Sequence, residues 1–298
     1  LQQVLGTGDI ATVWLAGDRL ESSQVALKVL HPQFASVTGR RDRFLRGAQA
    51  MHQLHHDGIV RIVDPHEEDL DHVYFIMGYV EGSNLHDAVQ AGQVAPDIGV
   101  AIVLRIGEAL SFAHRHNLVH RDVKPSNILL DRAQRPYIGD FDLFIADAAA
   151  GGMGAGAFAA PELFDPNLHV DARADVFGLG MTAVFALTGK TPPRDAVRAE
   201  TELDEFLLLP AAVRAVLTQA IAWRREQRFD NVSTFCRALQ SAWFGHDRAP
   251  PPLAARQPDA PPVVITAPYV TTPPVVDQPP MHSDSPGPPD TALAGTPS

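Results

Sequence analysis

The stretch that decides the fold reads His120-Arg121-Asp122-Val123-Lys124-Pro125-Ser126-Asn127, followed by Ile128-Leu129-Leu130-Asp131 and, after a turn, by Asp140-Phe141-Asp142. Asp122 can accept a hydroxyl proton, and Lys124 can hold a phosphoryl group during its transfer. Asn127 and Asp140 offer the oxygen ligands that Mg²⁺ prefers. Because these residue types occur together in this order, the stretch predicts a site for metal-assisted phosphoryl transfer.

A glycine motif lies near the start of the chain, in the segment Leu5-Gly6-Thr7-Gly8-Asp9-Ile10-Ala11-Thr12-Val13. Glycines let the backbone amides of a hairpin approach phosphate oxygens with no side chain in the way. Taken alone the motif is weak evidence, since most glycine turns only reverse the chain. A dinucleotide-binding fold would need a helix directly after the glycines, and a β-rich run follows instead.

Lys28 lies in an apolar run, Val25-Ala26-Leu27-Lys28, which predicts a strand. An ammonium group in such a place costs free energy unless an anion meets it, so a phosphate is a sensible partner. The alternative is a lysine at a strand edge whose ammonium reaches solvent.

The predicted secondary structure changes from mainly strands to mainly helices after about residue 80. Before it, β-branched runs at 11–15, 24–30 and 73–77 predict strands, and apolar residues at helical spacing predict one helix over Arg41 to Leu54. From residue 97 on, helical patterns predominate, over 98–116, 174–187, 211–223 and 232–243. The sequence therefore predicts a small strand-rich lobe followed by a larger helical lobe.

Composition excludes several classes of protein. The 298 residues carry 24 Lys and Arg against 35 Asp and Glu, a net charge of −11, which argues against a nucleic-acid partner. No apolar run approaches the roughly 18 residues of a membrane span. The single cysteine, Cys236, excludes an internal disulfide and favours a reducing, cytoplasmic location.

The two ends of the chain carry further signals. The segment from Arg248 to Ser298 holds 15 of the 25 prolines, so residues 245–298 are predicted to form an extended, disordered tail or linker. Leu1 opens the sequence without a signal-peptide pattern, and we expect the chain to be part of a longer protein.

Residues 1–244 resemble a protein kinase domain, most closely the bacterial Ser/Thr type. Ala160-Pro161-Glu162 matches the end of the family's activation segment, and the resemblance implies that Glu162 pairs with Arg228. Residues 175–180 resemble the start of the helix that anchors the family's catalytic loop. The resemblance places that loop at residues 120–127. The resemblance implies an α+β, bilobal fold with lobes at about 1–80 and 81–244. Small-molecule phosphotransferases share the catalytic loop but lack the Ala-Pro-Glu match.

The resemblance also implies ATP and Mg²⁺ as ligands and a protein hydroxyl as acceptor. Asp122 and Lys124 would be catalytic, and Asn127 and Asp140 would hold the metal. The nucleotide would be held by Leu5, Gly6, Gly8, Val13, Ala26, Lys28, the gatekeeper Met77, the hinge from Gly78 to Val80, and Leu129.

Several positions depart from the family pattern. Gly47 stands where a helix glutamate usually holds the strand lysine, and no glutamate occurs from Pro32 to His66, so Lys28 is expected to lack that partner. Asp142 replaces a hinge glycine, and it either contacts a second cation or is a solvated or capping residue. Ala155 replaces a loop threonine. Residues 143–162 contain no serine, threonine or tyrosine, so this loop has no acceptor for a phosphate.

We therefore expect an active Ser/Thr protein kinase, because every phosphate, metal and base residue is present. The alternative is a pseudokinase that acts as a nucleotide-binding regulatory scaffold, because the helix glutamate and the loop threonine are missing. A small-molecule phosphotransferase is favoured only by the Asp-Phe-Asp string.

Overall fold

The computed structural model describes residues 1–8, 10–17, 23–68, 72–141, 156–165, 167–198, 206–245 and 249–253. Within these ranges the chain forms a small β-rich lobe and a larger, mainly helical lobe, as the sequence predicts. Asp142, Ala155 and the tail from residue 254 onward lie outside the described residues, so the predictions made for them stay predictions.

An antiparallel five-stranded sheet builds the small lobe, in the order β1-β2-β3-β5-β4. Its strands are β1 (Gln3–Thr7), β2 (Ala11–Gly17), β3 (Gln24–Leu30), β4 (Ile62–Glu68) and β5 (Val73–Gly78). Two helices, α1 (Pro32–Ala35) and α2 (Thr38–His52), connect β3 to β4. The predicted strands and the predicted helix over 41–54 are confirmed, the helix with its bounds shifted by two to three residues.

The apolar face of α2 explains why this helix covers the sheet. Phe44, Ala48 and Met51 follow one another at spacings of four and three residues and are almost fully buried. The ring of Phe44 lies 5.0 Å, centroid to centroid, from that of Phe75 on β5. Gly47 lies on the same buried face.

The large lobe starts with a short three-stranded sheet and continues as a stack of helices. The sheet pairs β6 (Gly82–Asn84), β7 (Ile128–Asp131) and β8 (Pro136–Ile138) in sequence order. The helices are α3 (Leu85–Gln90), α4 (Pro96–Arg115), α5 (Arg173–Thr188), α6 (Arg194–Arg198), α7 (Ala211–Ala220) and α8 (Val232–Phe244). The four long helical patterns of the sequence are confirmed as α4, α5, α7 and α8.

Helix α5 is buried on all sides and forms the centre of this lobe. Its residues from Ala174 to Ala186 are all buried, as expected for a helix that is apolar all round. Gly178 lets the chain approach closely: a Cβ atom there would lie 2.7 Å from the carbonyl oxygen of Val123 and 3.5 Å from that of Phe158. The catalytic loop and the segment before Ala160 therefore both rest on α5.

Two further features concern helices long enough to span a membrane and the segment after α8. Among the described residues, no helix combines the length and the hydropathy that crossing a membrane requires. Beyond α8, the half-buried side chain of Leu253 packs against the hydrophobic core.

A buried ion pair ties the end of the activation segment to the helical core. Arg228 donates to both carboxylate oxygens of Glu162, at 2.7 and 2.9 Å, and both residues are only 3% exposed. The same guanidinium donates to the backbone oxygens of Ala222, Trp223 and Arg173. The pairing that the family resemblance implied is confirmed, and all the polar groups of the pair are satisfied.

Replacing one partner of this pair leaves the other charge buried without compensation. We therefore expect Glu162→Ala to lower the free energy of unfolding by about 3–5 kcal/mol, measured by urea denaturation. The control is Asp230→Ala, which removes the 81% exposed partner of Arg173 and should cost less than about 1 kcal/mol. Equal, small effects of the two substitutions would contradict the structural role of the buried pair.

Candidate active site

The backbone of the catalytic loop is held by one buried carboxylate. Asp175, at the start of α5, accepts hydrogen bonds from the backbone amides of His120, at 2.8 Å, and Arg121, at 2.7 Å. The ring of His114 donates to the same carboxylate at 2.6 Å. These bonds hold Arg121 in a left-handed conformation, with φ of 67°, which an L-residue rarely adopts. The loop geometry is thus imposed by α5 and the end of α4.

Asp122 lies at the centre of a small polar cluster. Its Oδ2 atom accepts from the ammonium of Lys124 at 2.7 Å and from the amide of Asn127 at 2.9 Å. The same amide group donates to the backbone oxygen of Asp122 at 2.8 Å, which leaves the side-chain oxygen of Asn127 as its remaining acceptor. The Asp122 side chain is 34% exposed, so its carboxylate remains accessible to solvent.

Asp140 is fixed from both sides along the chain. The ring of His120 donates to the backbone oxygen of Gly139 at 2.7 Å and packs against the ring of Phe141, with centroids 4.4 Å apart. His120 and Phe141 are both fully buried. Asp140 itself has φ of 62°, the second left-handed non-glycine residue of the site. His120 therefore couples the catalytic loop to the position of Asp140.

Lys28 on β3 forms an ion pair with Asp140 from the other lobe. The ammonium nitrogen lies 2.6 Å from Asp140 Oδ1, and Lys28 is only 8% exposed. Burial by itself raises the pKa of Asp140, but the Lys28 ammonium, through its charge and its hydrogen bond, and then the charge of Lys124, hold that pKa below its ordinary value. The helix glutamate is absent, as the sequence indicates, and Asp140 supplies a carboxylate to Lys28 in its place.

Four of the residues that the resemblance assigns to the nucleotide lie in a small apolar cluster separate from the main hydrophobic core. Buried Leu5 and Ala26 belong to it, and Val13 and Met77 pack against it. Strand pairing brings Ala26 opposite Met77 and opposite Leu15, which belongs to the same cluster. The hairpin of β1 and β2 closes through a bond from the Gly8 amide to the Ala11 oxygen at 2.9 Å, so a strand follows the glycines, as predicted.

The remaining predicted nucleotide residues flank this cluster. Gly6 pairs with Val13 in the β1–β2 hairpin, and Gly78 ends β5. Val80 is buried after β5, and Leu129 is half-buried on β7. Their role in holding a nucleotide stays a prediction.

The sequence did not predict that His114 would bond Asp175, or that His120 would bond the backbone next to Asp140. The motif at residues 120–127 draws attention to Asp122, Lys124 and Asn127. His114, in contrast, is one of several polar residues at the end of an amphipathic helix. A buried aspartate at the start of an apolar helix, Asp175, is the one signal that could have pointed to it, because a buried carboxylate needs donors.

The arrangement is suited to metal-assisted chemistry. No group of three or more His, Cys, Asp and Glu side chains converges within the described residues. One carboxylate, Asp140, and one amide oxygen, on Asn127, suit Mg²⁺, which commonly takes one or two protein ligands and completes its shell with substrate phosphates and water. The donor set therefore fits the predicted metal and would not suit zinc.

The lowered pKa of Asp140 has a consequence for stability against pH. Because the folded-state pKa lies below the carboxyl group's ordinary value of 3.8, the ion pair adds stability above that pH and loses it as pH falls through the lower folded-state pKa. We expect the difference in unfolding free energy between the wild type and Asp140→Asn to stay constant from pH 8 to about 5 and to shrink below about 4. A difference that vanishes by pH 6 in urea denaturation would contradict the pairing.

Comparisons with known proteins identify the family of this chain. The profile of the family described as "Protein kinase domain" matches residues 1–246. The Ser/Thr protein kinase PksC of Streptomyces coelicolor is 32% identical over 74% of this chain, and PknJ of Mycobacterium tuberculosis is 30% identical over 82%. The match covers 43% and 45% of those two proteins, so the chain spans less than half of their length.

A solved structure gives the same result for the fold. The crystal structure of the Mycobacterium tuberculosis PknI kinase domain superposes with a TM-score of 0.67 at 28% identity, covering 80% of this chain and 93% of that domain. The match of the family profile over most of the chain, together with the paired lobes and the catalytic loop, shows that this chain belongs to the protein kinase domain family.

Proposed function

We propose that this chain is an ATP-dependent Ser/Thr protein kinase that transfers the γ-phosphate to a protein hydroxyl. The observation that supports the proposal is the contact between Lys28 and Asp140, which brings together the amine proposed to bind a phosphate and the carboxylate proposed to bind the metal. The curated relatives that match are named as Ser/Thr protein kinases, which supports the same reaction class.

Nucleotide binding would use both lobes. The apolar cluster of Leu5, Val13, Ala26 and Met77 would cover the adenine base, and the glycine hairpin would approach the phosphates. Lys28 would hold a phosphate oxygen, while Asn127 and Asp140 would share Mg²⁺. The metal, when bound, neutralises charge that develops on the phosphates during transfer.

Asp122 and Lys124 would act on the acceptor. The Asp122 carboxylate would orient the acceptor hydroxyl and take its proton, and the Lys124 ammonium, 2.7 Å away, would balance charge on the transferred group. Because both side chains are already held by the loop that Asp175 fixes, little reorganisation is needed when the reactants bind. Catalysis of this kind consists mainly of positioning and electrostatics.

The pseudokinase alternative has a specific observation in its favour. In the described residues, the carboxylate that meets Lys28 is the proposed metal ligand itself, so a nucleotide must redistribute this ion pair when it binds. The two left-handed residues and the bonds to Asp175 favour an active enzyme, since a scaffold has no need to hold a base and an amide in this strained arrangement. A small-molecule phosphotransferase stays a third possibility, resting on Asp142.

Partners and location stay at the level of proposals. A protein substrate or a regulated protein partner follows from the proposed kinase reaction, and the net charge of −11 argues against nucleic acid. A cytoplasmic location, expected from the single cysteine, is proposed on that ground alone.

Transfer of labelled γ-phosphate to a generic protein, or to the chain itself, tests the proposal. We expect Asp122→Asn to lower this transfer by roughly 10²–10⁴-fold, because the base is lost while its neighbours remain. Asp230→Asn, at an exposed surface position, serves as the control and should keep the wild-type rate. Equal background for the wild type and Asp122→Asn, with Mg·ATP still raising the melting temperature, would establish the scaffold instead.

A second prediction concerns Gly47, which occupies the position of the family's helix glutamate in the sequence comparison. We expect Gly47→Glu to raise kcat, because a glutamate on the buried face of α2 would hold Lys28 and leave Asp140 to the metal. The matched control is Gly47→Gln, which has the same shape without the charge and should not raise the rate. An unchanged or lower kcat for Gly47→Glu would show that Gly47 does not occupy the position of the family's helix glutamate.

A further inference from the structure

Arg194 connects the helical core to the segment that precedes Ala160. It begins the short helix α6 after α5, and its Nη1 atom donates to the backbone oxygens of Gly156 and Ala159, the latter at 2.6 Å. Its guanidinium also lies over two aromatic rings, 4.9 Å from the centroid of Phe164 and 5.3 Å from that of Trp223. One side chain thus links residues on both sides of the Ala-Pro-Glu match.

The segment that Arg194 holds lies beside the catalytic loop. The carbonyl oxygens of Val123 and Phe158 both face Gly178, within 3.5 Å of where its Cβ would stand. The ring of Phe158 packs edge-on against Phe185, with centroids 6.3 Å apart. Val123 directly follows the proposed base, so residues 156–159 lie next to the place where an acceptor side chain must enter.

Residues 156–162, the described part of this loop, cannot be ordered by phosphorylation within residues 143–162. Such loops are often ordered when a phosphorylated side chain pairs with arginines, and this stretch has no residue to phosphorylate. Arg194 forms its bonds to main-chain oxygens, which need no modification. Burial lowers the pKa of Arg194, with the charge of Asp195 opposing the change, and an arginine stays charged at neutral pH despite such a shift.

We propose that Arg194 is a positioning residue that holds residues 156–159 against the catalytic loop, so that the surface for the acceptor peptide is ordered without phosphorylation. The role in peptide binding rests on the proposed kinase function, whereas the ordering of the segment does not. Arginine suits this role because its planar group can donate to carbonyls in its plane while its faces stack on aromatic rings.

Three variants separate this role from charge and from stability. Arg194→Ala removes the bonds and the stacking, and Arg194→Lys keeps the charge without the planar group. Arg198→Ala is the matched control, because Arg198 is exposed on the same short helix, lies 5.7 Å from the Trp223 ring and has the same charge.

Amide hydrogen exchange gives a readout that does not depend on activity. The Leu163 amide bonds the Ala160 oxygen at 3.1 Å, so it reports on the order of this segment. We expect exchange at 156–164 to rise at least tenfold in Arg194→Ala and less in Arg194→Lys, and to stay at the wild-type rate in Arg198→Ala. Wild-type exchange in Arg194→Ala would overturn the proposal, whether or not the protein transfers phosphate.

Steady-state kinetics tests the role in peptide binding. In Arg194→Ala we expect the KM for an acceptor peptide to rise at least tenfold while the KM for ATP stays within twofold, before and after phosphatase treatment. An equal loss in both constants, together with a fall in melting temperature, would assign Arg194 to general stability and overturn the positioning role. An inactive wild type would instead refute the proposed function, and the exchange result would still decide the ordering.

Discussion

The ion pair between Lys28 and Asp140 is the contact on which the rest of the site depends. It joins β3 of the small lobe to the segment after β8 in the large lobe, across a separation of 112 residues in the chain. A buried ammonium is tolerated only where an anion meets it, and this carboxylate meets it at 2.6 Å. The pair therefore brings the two lobes together at the place proposed for the phosphates and the metal of a nucleotide.

Within the large lobe, the carboxylate of Asp175 similarly fixes the position of the residues around it. By accepting two backbone amides of the catalytic loop it holds Arg121 at a positive φ, and the His120 ring passes this constraint to Gly139. Left-handed conformations of non-glycine residues cost on the order of 1–3 kcal/mol each, and they persist where the surroundings impose them. The bond to Asp175 on α5 offsets the strain at Arg121, and the His120 ring links this loop to the backbone next to Asp140.

Much of this could be predicted from residues alone, because the informative patterns are local. The run from His120 to Asn127 and the amphipathic helices carry their own periodicity and spacing, and the structure confirms the fold they predict. Several elements that were not predicted, namely α1, α3 and the strands β6 to β8, are three to six residues long, too short for a period to show.

The site was less predictable, because its contacts join distant residues. The missing glutamate showed that the usual partner of Lys28 was absent, but no local pattern indicates that Asp140 takes its place. The bond from His114 to Asp175 spans 61 residues, and the bonds of Arg194 to main-chain oxygens depend on backbone placement and not on residue type. Such contacts become visible only when the fold brings the elements together.

Under the proposed function, Lys28, Asp140 and Asn127 together hold a nucleotide triphosphate with its divalent cation. Titration calorimetry of ATP with and without Mg²⁺, on the wild type and on Asp140→Asn, measures this binding. We expect Mg²⁺ to strengthen ATP binding at least tenfold in the wild type and to have little effect in the variant. Absence of ATP binding by the wild type, or an equal response to Mg²⁺ in both proteins, would contradict this proposal.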